Sequence, residues 1–464
     1  MHPVFSSRGG GKPIPIWFVT AATWATLRKR FSESELAFAE AAGFEPKSGR
    51  HVLLPANDGK LSAVLFGLEN ADKPNRDLFL PGRLSGLLPP GHYRFANAPH
   101  DARLAALAFA LGAYRFTRYG KSPSPKLTLD VPDRVDGEDL SRIVESVALA
   151  RDLINTPTND MGPAQLEAAA RAVAKSFGAR FNSIVGKDLL TRNFPLIHAV
   201  GRAAAPSSAP RLIDFSWGDP KHPKLTLVGK GVCFDTGGLD LKPSSSMLMM
   251  KKDMAGGATV LALARMIMGR KLKVRLRVLI PAVENSVAGD AFRPLDIYRS
   301  RKGLNVEIGN TDAEGRLILA DALALADEEK PDLIVDMGTL TGAARVALGP
   351  DLPPFYTDDD KLAAALERHA TGENDPLWRM PLWGPYDAML DSKVADLNNV
   401  SSGSFAGSII CALFLRRFVD KAKAWVHVDI YGWAPSNKAG RPEGGECQAA
   451  RAVYALLKER YGTR

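Results

Sequence analysis

Asn310-Thr311-Asp312-Ala313-Glu314-Gly315-Arg316-Leu317 runs directly into Ile318-Leu319-Ala320-Asp321-Ala322-Leu323-Ala324-Leu325-Ala326. From Leu317 onward only Asp321 is polar, which predicts a helix buried nearly all round. Ahead of it, two carboxylates, a guanidinium and a glycine fall at a loop-to-helix junction. Asp312 and Glu314 stand two apart, so in extended backbone their side chains project to one side, while Gly315 admits close approach of whatever they hold. Acidic groups at the mouth of a buried helix need cations, hydrogen bonds or neutralisation.

Around this helix the chain alternates strand and helix, the pattern of an α/β domain with a largely parallel central sheet. Strands are predicted over 211–216, 225–228, 274–280, 333–337 and 425–430, with helices over 163–177, 256–268, 317–329 and 405–419. In such sheets ligands bind beyond the carboxyl ends of the strands, and the reactive residue types follow those ends.

Upstream, a strand over 14–20 and a helix over 21–43 are expected, then two short strands around the turn Asn57-Asp58-Gly59 and an Ala/Leu-rich helix over 101–116. Ser122-Pro123-Ser124-Pro125, a short strand over 127–129 and a fresh helix over 138–154 mark a domain boundary. The reading is therefore two domains, a smaller N-terminal α/β domain over 1–137 without a catalytic constellation and a larger α/β/α catalytic domain over 138–464. A length of 464 residues fits two domains.

The net charge of +9 is diffuse: 18 Lys/Arg face 14 Asp/Glu in residues 1–140, and 42 face 37 in the remainder. No basic run or arginine-rich stripe supports a nucleic-acid partner. Three scattered cysteines, Cys233, Cys411 and Cys447, argue against a disulfide framework or a Cys-based zinc site. No signal peptide and no apolar run of membrane-spanning length is visible, so a cytoplasmic protein with no membrane partner is expected.

A second glycine-rich stretch, Val228-Gly229-Lys230-Gly231-Val232-Cys233-Phe234-Asp235-Thr236-Gly237-Gly238, leaves an apolar strand and is followed by Lys242 and Asp253. It lacks the spacing and the hydroxyl after lysine that a phosphate loop requires. Asp235, Asp253, Asp312 and Glu314 together offer ligands for two divalent ions, and four carboxylates in one cavity without metal would repel one another. None of the eight histidines lies in these stretches, which favours oxygen-rich coordination. Two close metals suit hydrolysis, by acidifying a water and polarising a carbonyl. Lysine supplies either a metal ligand when neutral or an oxyanion donor when protonated. Lys251-Lys252 reads as a solvated pair, and His427 and Cys233 as core residues.

These motifs, with Asp253-Met254-Ala255-Gly256-Gly257-Ala258, Asn155-Thr156-Pro157-Thr158-Asn159-Asp160 and Thr339-Leu340-Thr341-Gly342, resemble the leucine aminopeptidase (cytosol aminopeptidase) family of dimetal exopeptidases over about residues 140–464. The resemblance implies that Lys230, Asp235, Asp253 and Glu314 hold one metal and Asp235, Asp312 and Glu314 the other. Zinc or manganese is expected, with cobalt or magnesium as alternatives. Lys242 would stabilise the tetrahedral intermediate, and Arg316 would hold a bicarbonate ion acting as general base. Met250, Asn310, Thr339, Leu340 and Gly342 are assigned to substrate binding, with an apolar N-terminal residue preferred. Peptide substrates and a homohexamer follow by the same resemblance, and a DNA-binding or non-catalytic assembly role is the alternative. Thr236, Asp240, Tyr431 and the segment Gly444-Gly445-Glu446-Cys447-Gln448 depart from the family pattern. Glu446, if near the pocket, would favour basic or polar first residues.

Overall fold

The apolar run forms the helix Glu314–Glu328, almost wholly buried. It begins three residues earlier than expected, so Glu314 and Arg316 belong to its first turn rather than to the preceding loop. Helices Pro195–Gly201 and Gly407–Arg416 pack on it, as do strands Lys224–Gly229 and Arg275–Asn285. A helix surrounded in this way needs apolar side chains on every face, which is the pattern its sequence carries.

The computed structural model describes residues 1–6, 12–74, 76–120 and 126–462, and the chain divides into two units. These are Met1–Ala148 with Ser436–Glu443, and Leu149–Pro435 with Gly444–Arg464. The helix Gly137–Asn155 runs through the division, and the boundary expected at 137/138 lies at its first residues. Ser122-Pro123-Ser124-Pro125, part of the expected boundary signal, lies outside the described residues.

The larger unit is built on a nine-stranded, largely parallel sheet. Trp425–Asp429, Leu333–Gly338, Lys224–Gly229 and Arg275–Asn285 are adjacent and mutually parallel, and Gly231–Asp235 pairs in parallel with the last residues of Arg275–Asn285. Antiparallel strands Arg211–Trp217 and Arg180–Val185 extend one side, the latter unmarked in the sequence reading. Pro354–Tyr356, antiparallel to Trp425–Asp429, and Trp378–Arg379 extend the other. Parallel pairing brings the carboxyl ends of the central strands to one edge, where a ligand site forms in such sheets.

The smaller unit carries a six-stranded sheet, parallel except for His51–Pro55 against Leu61–Gly67. The single helix expected over 21–43 is two, Ala21–Leu27 and Glu33–Ala41, separated by a short 3₁₀ turn. Ser32 restarts the chain as the N-cap of the second helix, with Glu35 completing a capping box. Among the described residues no helix is long and apolar enough to cross a membrane.

Candidate active site

Lys230 is the one residue between strands Lys224–Gly229 and Gly231–Asp235, and its backbone is clamped from two sides. Its N–H donates to the Met337 carbonyl at 2.9 Å, and its carbonyl accepts from Gly257 N–H at 2.7 Å. The buried side chain reaches Asp253 Oδ2 at 2.7 Å and Glu314 Oε1 at 2.9 Å, and donates to the Thr339 carbonyl at 2.6 Å. Gly315 makes this passage possible, because a Cβ there would lie 2.5 Å from Lys230 Cε.

Asp235 ends its strand one turn of chain away. Its Oδ1 accepts from Gly237 N–H at 2.8 Å and from Asn285 Nδ2 at 2.9 Å. Gly237 holds φ +89, a left-handed conformation that favours glycine, and bends the chain back toward Asp312. Lys242 Nζ then lies 2.9 Å from Asp235 Oδ2 and 2.5 Å from Asp312 Oδ1. Asp312 is oriented by Asn310, whose side-chain oxygen accepts its backbone N–H at 2.6 Å. Asp235, Asp312 and Glu314 each offer a carboxylate oxygen within 4.8 Å of the others.

This donor set fits divalent cations. Asp253 Oδ2, Asp312 Oδ1 and Glu314 Oε1 are buried without a hydrogen-bond partner, and the two lysine ammoniums alone stand against them at ion-pair distance. Buried carboxylate oxygens in that state are costly unless a cation completes them. The electrostatics agree. Burial, then repulsion from Asp235, pushes the Glu314 carboxyl up to about 8, and burial with Asp253 nearby pushes Asp235 up to about 6. Burial alone would lower both lysines, but Asp253, Glu314 and Asp235 hold Lys230 above the ordinary lysine range, and Asp235, Glu314 and Asp312 do the same for Lys242.

Arg316 is buried and donates from Nη1 to the Asn399 carbonyl at 2.7 Å. The residues assigned to substrate lie around the same edge. Thr339 donates to Asp253 Oδ1 at 2.6 Å, Leu340 donates its N–H to Asp429 Oδ1 at 3.1 Å, and Gly342 opens the helix Gly342–Leu348 with open space where a side chain would be. Half-buried Met250 starts the 3₁₀ helix Met250–Met254 that carries Asp253. Asn310 spends its side-chain oxygen on Asp312 N–H, a positioning contact.

Two expectations are overturned. Glu446 forms a buried ion pair with Arg151 at 2.9 Å, so its charge is already met and gives no reason to favour basic substrates. Lys252 is not solvated; at 6% exposure it packs inside, its ammonium on the Tyr431 carbonyl at 2.6 Å, and burial lowers it to about 8 despite Asp253 nearby. His427 is a satisfied core residue, with Nδ1 2.6 Å from Asp336.

Three positioning residues escaped the sequence reading. Asn285 bridges Asp235 and the Thr311 carbonyl from the end of the longest strand, Asn399 holds the backbone of Gly309 and Asn310, and Asp429 ties down Leu340 and Thr341. Asn285 and Asp429 share a detectable signal, a polar residue closing an apolar parallel strand.

Residues 148–456 match the catalytic domain of the cytosol aminopeptidase family, and residues 15–132 match the M17 aminopeptidase N-terminal domain. A probable cytosol aminopeptidase of Chlamydia muridarum is 43% identical over 430 residues, covering 86% of this chain and 85% of the relative. The structure of the cytosol aminopeptidase from Coxiella burnetii superposes with a TM-score of 0.92 at 44% identity, over 99% of both chains. The bottromycin maturation enzyme BotP in complex with Mn gives 0.87 at 31% identity, over 97% of this chain and 100% of that one. A match of this extent in sequence and in fold, around a carboxylate cluster fitted to divalent cations, places the chain in the cytosol aminopeptidase family of metal-dependent aminopeptidases.

Proposed function

We propose that the chain hydrolyses the N-terminal residue from peptides with two divalent ions, one held by Lys230, Asp235, Asp253 and Glu314 and the other by Asp235, Asp312 and Glu314. The observation that carries this reading is the approach of three carboxylates within 4.8 Å, with buried oxygens that have no hydrogen-bond partner. When bound, such ions acidify a water and polarise a carbonyl. Zinc or manganese suits the donor set, cobalt and magnesium less so, and the manganese complex of BotP supports manganese.

The chain's own groups do the rest. Lys242 stays protonated beside Asp235 and Asp312, and once those carboxylates serve as ligands its ammonium is released to donate to the carbonyl oxygen as negative charge develops. Arg316, fixed on the Asn399 carbonyl, is the residue that would hold a bicarbonate ion as base. Met250, Thr339, Leu340 and Gly342 form the wall for the departing side chain, supporting an apolar first residue. A homohexamer in the cytoplasm completes the reading; Leu248, Val346 and Phe405, 79%, 92% and 82% exposed, are apolar side chains of the kind a subunit interface covers.

The test is turnover of leucyl, methionyl, arginyl and lysyl chromogenic substrates by protein stripped of metal and reloaded with zinc or manganese. Release is expected only after reloading. Lys242→Ala should lower kcat by about 10²–10³-fold, as loss of an oxyanion donor does, with metal content retained. Metal-loaded, folded protein that turns over none of the panel would overturn the reading.

A further inference from the structure

The sheet of the smaller unit has a switch point of its own. Strand Ile14–Val19 pairs in parallel with Leu61–Gly67 on one side and with Gly91–Phe95 on the other, and Gly91–Phe95 pairs in parallel with Leu127–Asp130. The chain therefore leaves Ile14–Val19 in one direction across the sheet and Gly91–Phe95 in the other, which opens a crevice beyond the carboxyl ends of such strands. A cavity of about 820 Å³ is lined by the residues that follow two of those ends, 95–99 and 130–133. Small-molecule sites span roughly 300–1,000 Å³. Asn97 fixes one wall, its Oδ1 accepting from Phe18 N–H and its Nδ2 donating to the Phe18 carbonyl, both at 2.8 Å.

The lining joins rigid apolar surface to positive charge that nothing offsets. Pro13, Pro15, Phe95, Pro99 and Pro132 supply the apolar part. Proline brings no N–H that needs an acceptor and little freedom to lose on binding. Lys12 and Arg94 supply the charge, and among the described residues neither side chain has a hydrogen-bond or ion-pair partner. The carboxylates beside them are engaged already. Asp130 Oδ1 accepts from Ser6 Oγ at 2.7 Å and lies 2.7 Å from His92 Nε2, and Asp133 has an interaction of its own. His92 Nε2 also lies 2.9 Å from Ser6 Oγ, so one ring nitrogen meets both neighbours. That geometry excludes a serine–histidine–aspartate relay, which needs one neighbour on each ring nitrogen. The three side chains are a hydrogen-bonded wall.

We infer that this cavity binds a small organic anion, whose phosphate or carboxylate group pairs with Arg94 and Lys12 and whose apolar body lies on the prolines and Phe95. A guanidinium presents a fork that matches either anionic group. The cavity shares no residue with the carboxylate cluster, which belongs to the larger unit, so the inference does not depend on the aminopeptidase reading.

The experiment is calorimetry on the metal-loaded full chain with phenyl phosphate, benzoate and phenol as probes. The first two carry the alternative anionic groups on one ring, and phenol carries the ring alone. At least one anion should bind and phenol should not, and the tighter anion identifies the group. Arg94→Gln should weaken that binding by about tenfold or more, the scale of one charge-assisted contact. Lys12→Gln should act in the same sense. Turnover and denaturation midpoint should stay at wild-type values in both, because neither side chain holds the fold. Binding should also persist in Glu314→Ala, whose change lies outside the cavity. Anion binding that is unmoved in Arg94→Gln, or lost in Glu314→Ala, overturns the inference, as does the failure of both anions to bind at millimolar concentration.

Discussion

Glu314 and Asp321 stand two turns apart on one helix, both fully buried, and burial pushes both carboxyls far above their usual range, to about 8 and about 7. Their surroundings differ. Asp321 has every demand met: Oδ2 accepts from the N–H of Leu196 at 2.8 Å and Ile197 at 3.4 Å, and Oδ1 from Arg301 N–H at 2.8 Å. It closes the start of the helix Pro195–Gly201 and pins a neighbouring turn. Glu314 presents Oε1 with no hydrogen-bond partner, beside other carboxylates and a lysine. A raised pKa therefore does not by itself mark a reactive site. The distinguishing sign is an acceptor left open among like charges.

That contrast breaks most easily at Glu314. Glu314→Ala is expected to cut turnover by more than about a thousandfold, since on the proposed assignment one change would remove a ligand shared by both ions. Metal content by elemental analysis should fall with it. Retained metal and turnover would make Glu314 a second Asp321. The converse change, Asp321→Asn, puts an amide N–H₂ against backbone N–H donors and should cost about 1–3 kcal/mol of stability, the penalty for an unmet buried group. It should lower the denaturation midpoint and leave turnover per folded molecule unchanged. Lost turnover with the fold intact would place Asp321 in the chemistry.

The sequence announced Glu314 and not Asp321's partners, for a physical reason. The open carboxylates sit in dense local motifs, with Gly315 beside Glu314 and Gly237 beside Asp235, where close approach needs a small residue in the chain itself. Asp321 is satisfied by Leu196 and Arg301, which are 125 and 20 residues away, and nothing local records such a pairing. The same holds elsewhere. The parallel sheet was visible in apolar runs ending in polar residues, whereas the edge strand Arg180–Val185, half exposed, gave no such run. Glu446 looked like a pocket residue because its partner Arg151 lies 295 positions away. Lys252 looked solvated because the Tyr431 carbonyl that holds it is 179 positions away.

A pH titration sharpens the comparison at the level of single protons. In the metal-free protein burial pushes the neighbouring Glu314 and Asp235 carboxyls up, to about 8 and about 6, while the carboxylates around Lys230 hold it protonated. A ligand must give up its proton, so metal affinity rises with pH. The slope of log affinity against pH counts the protons released. With Lys230 as a ligand it should be about one above pH 8 and about two between pH 6 and 8. A break near 8 assigns a proton to the interacting Glu314 and Asp235 pair; a flat line above 8 would remove Lys230 from the ligand set. Asp321 contributes nothing to this curve, because it meets no metal, and appears instead in stability. Its folded value, about 7, lies above the ordinary carboxyl range, so its contribution is present below the unfolded value and is lost as pH rises through about 7. Glu314 acts in the same sense through about 8 in the metal-free protein. Denaturation midpoints of metal-free protein should therefore fall between pH 5 and 9, and saturating metal should cancel only the Glu314 and Asp235 part. A fall abolished entirely by metal would mean that Asp321 titrates with the site, and that the two carboxyls on this helix are one system rather than two.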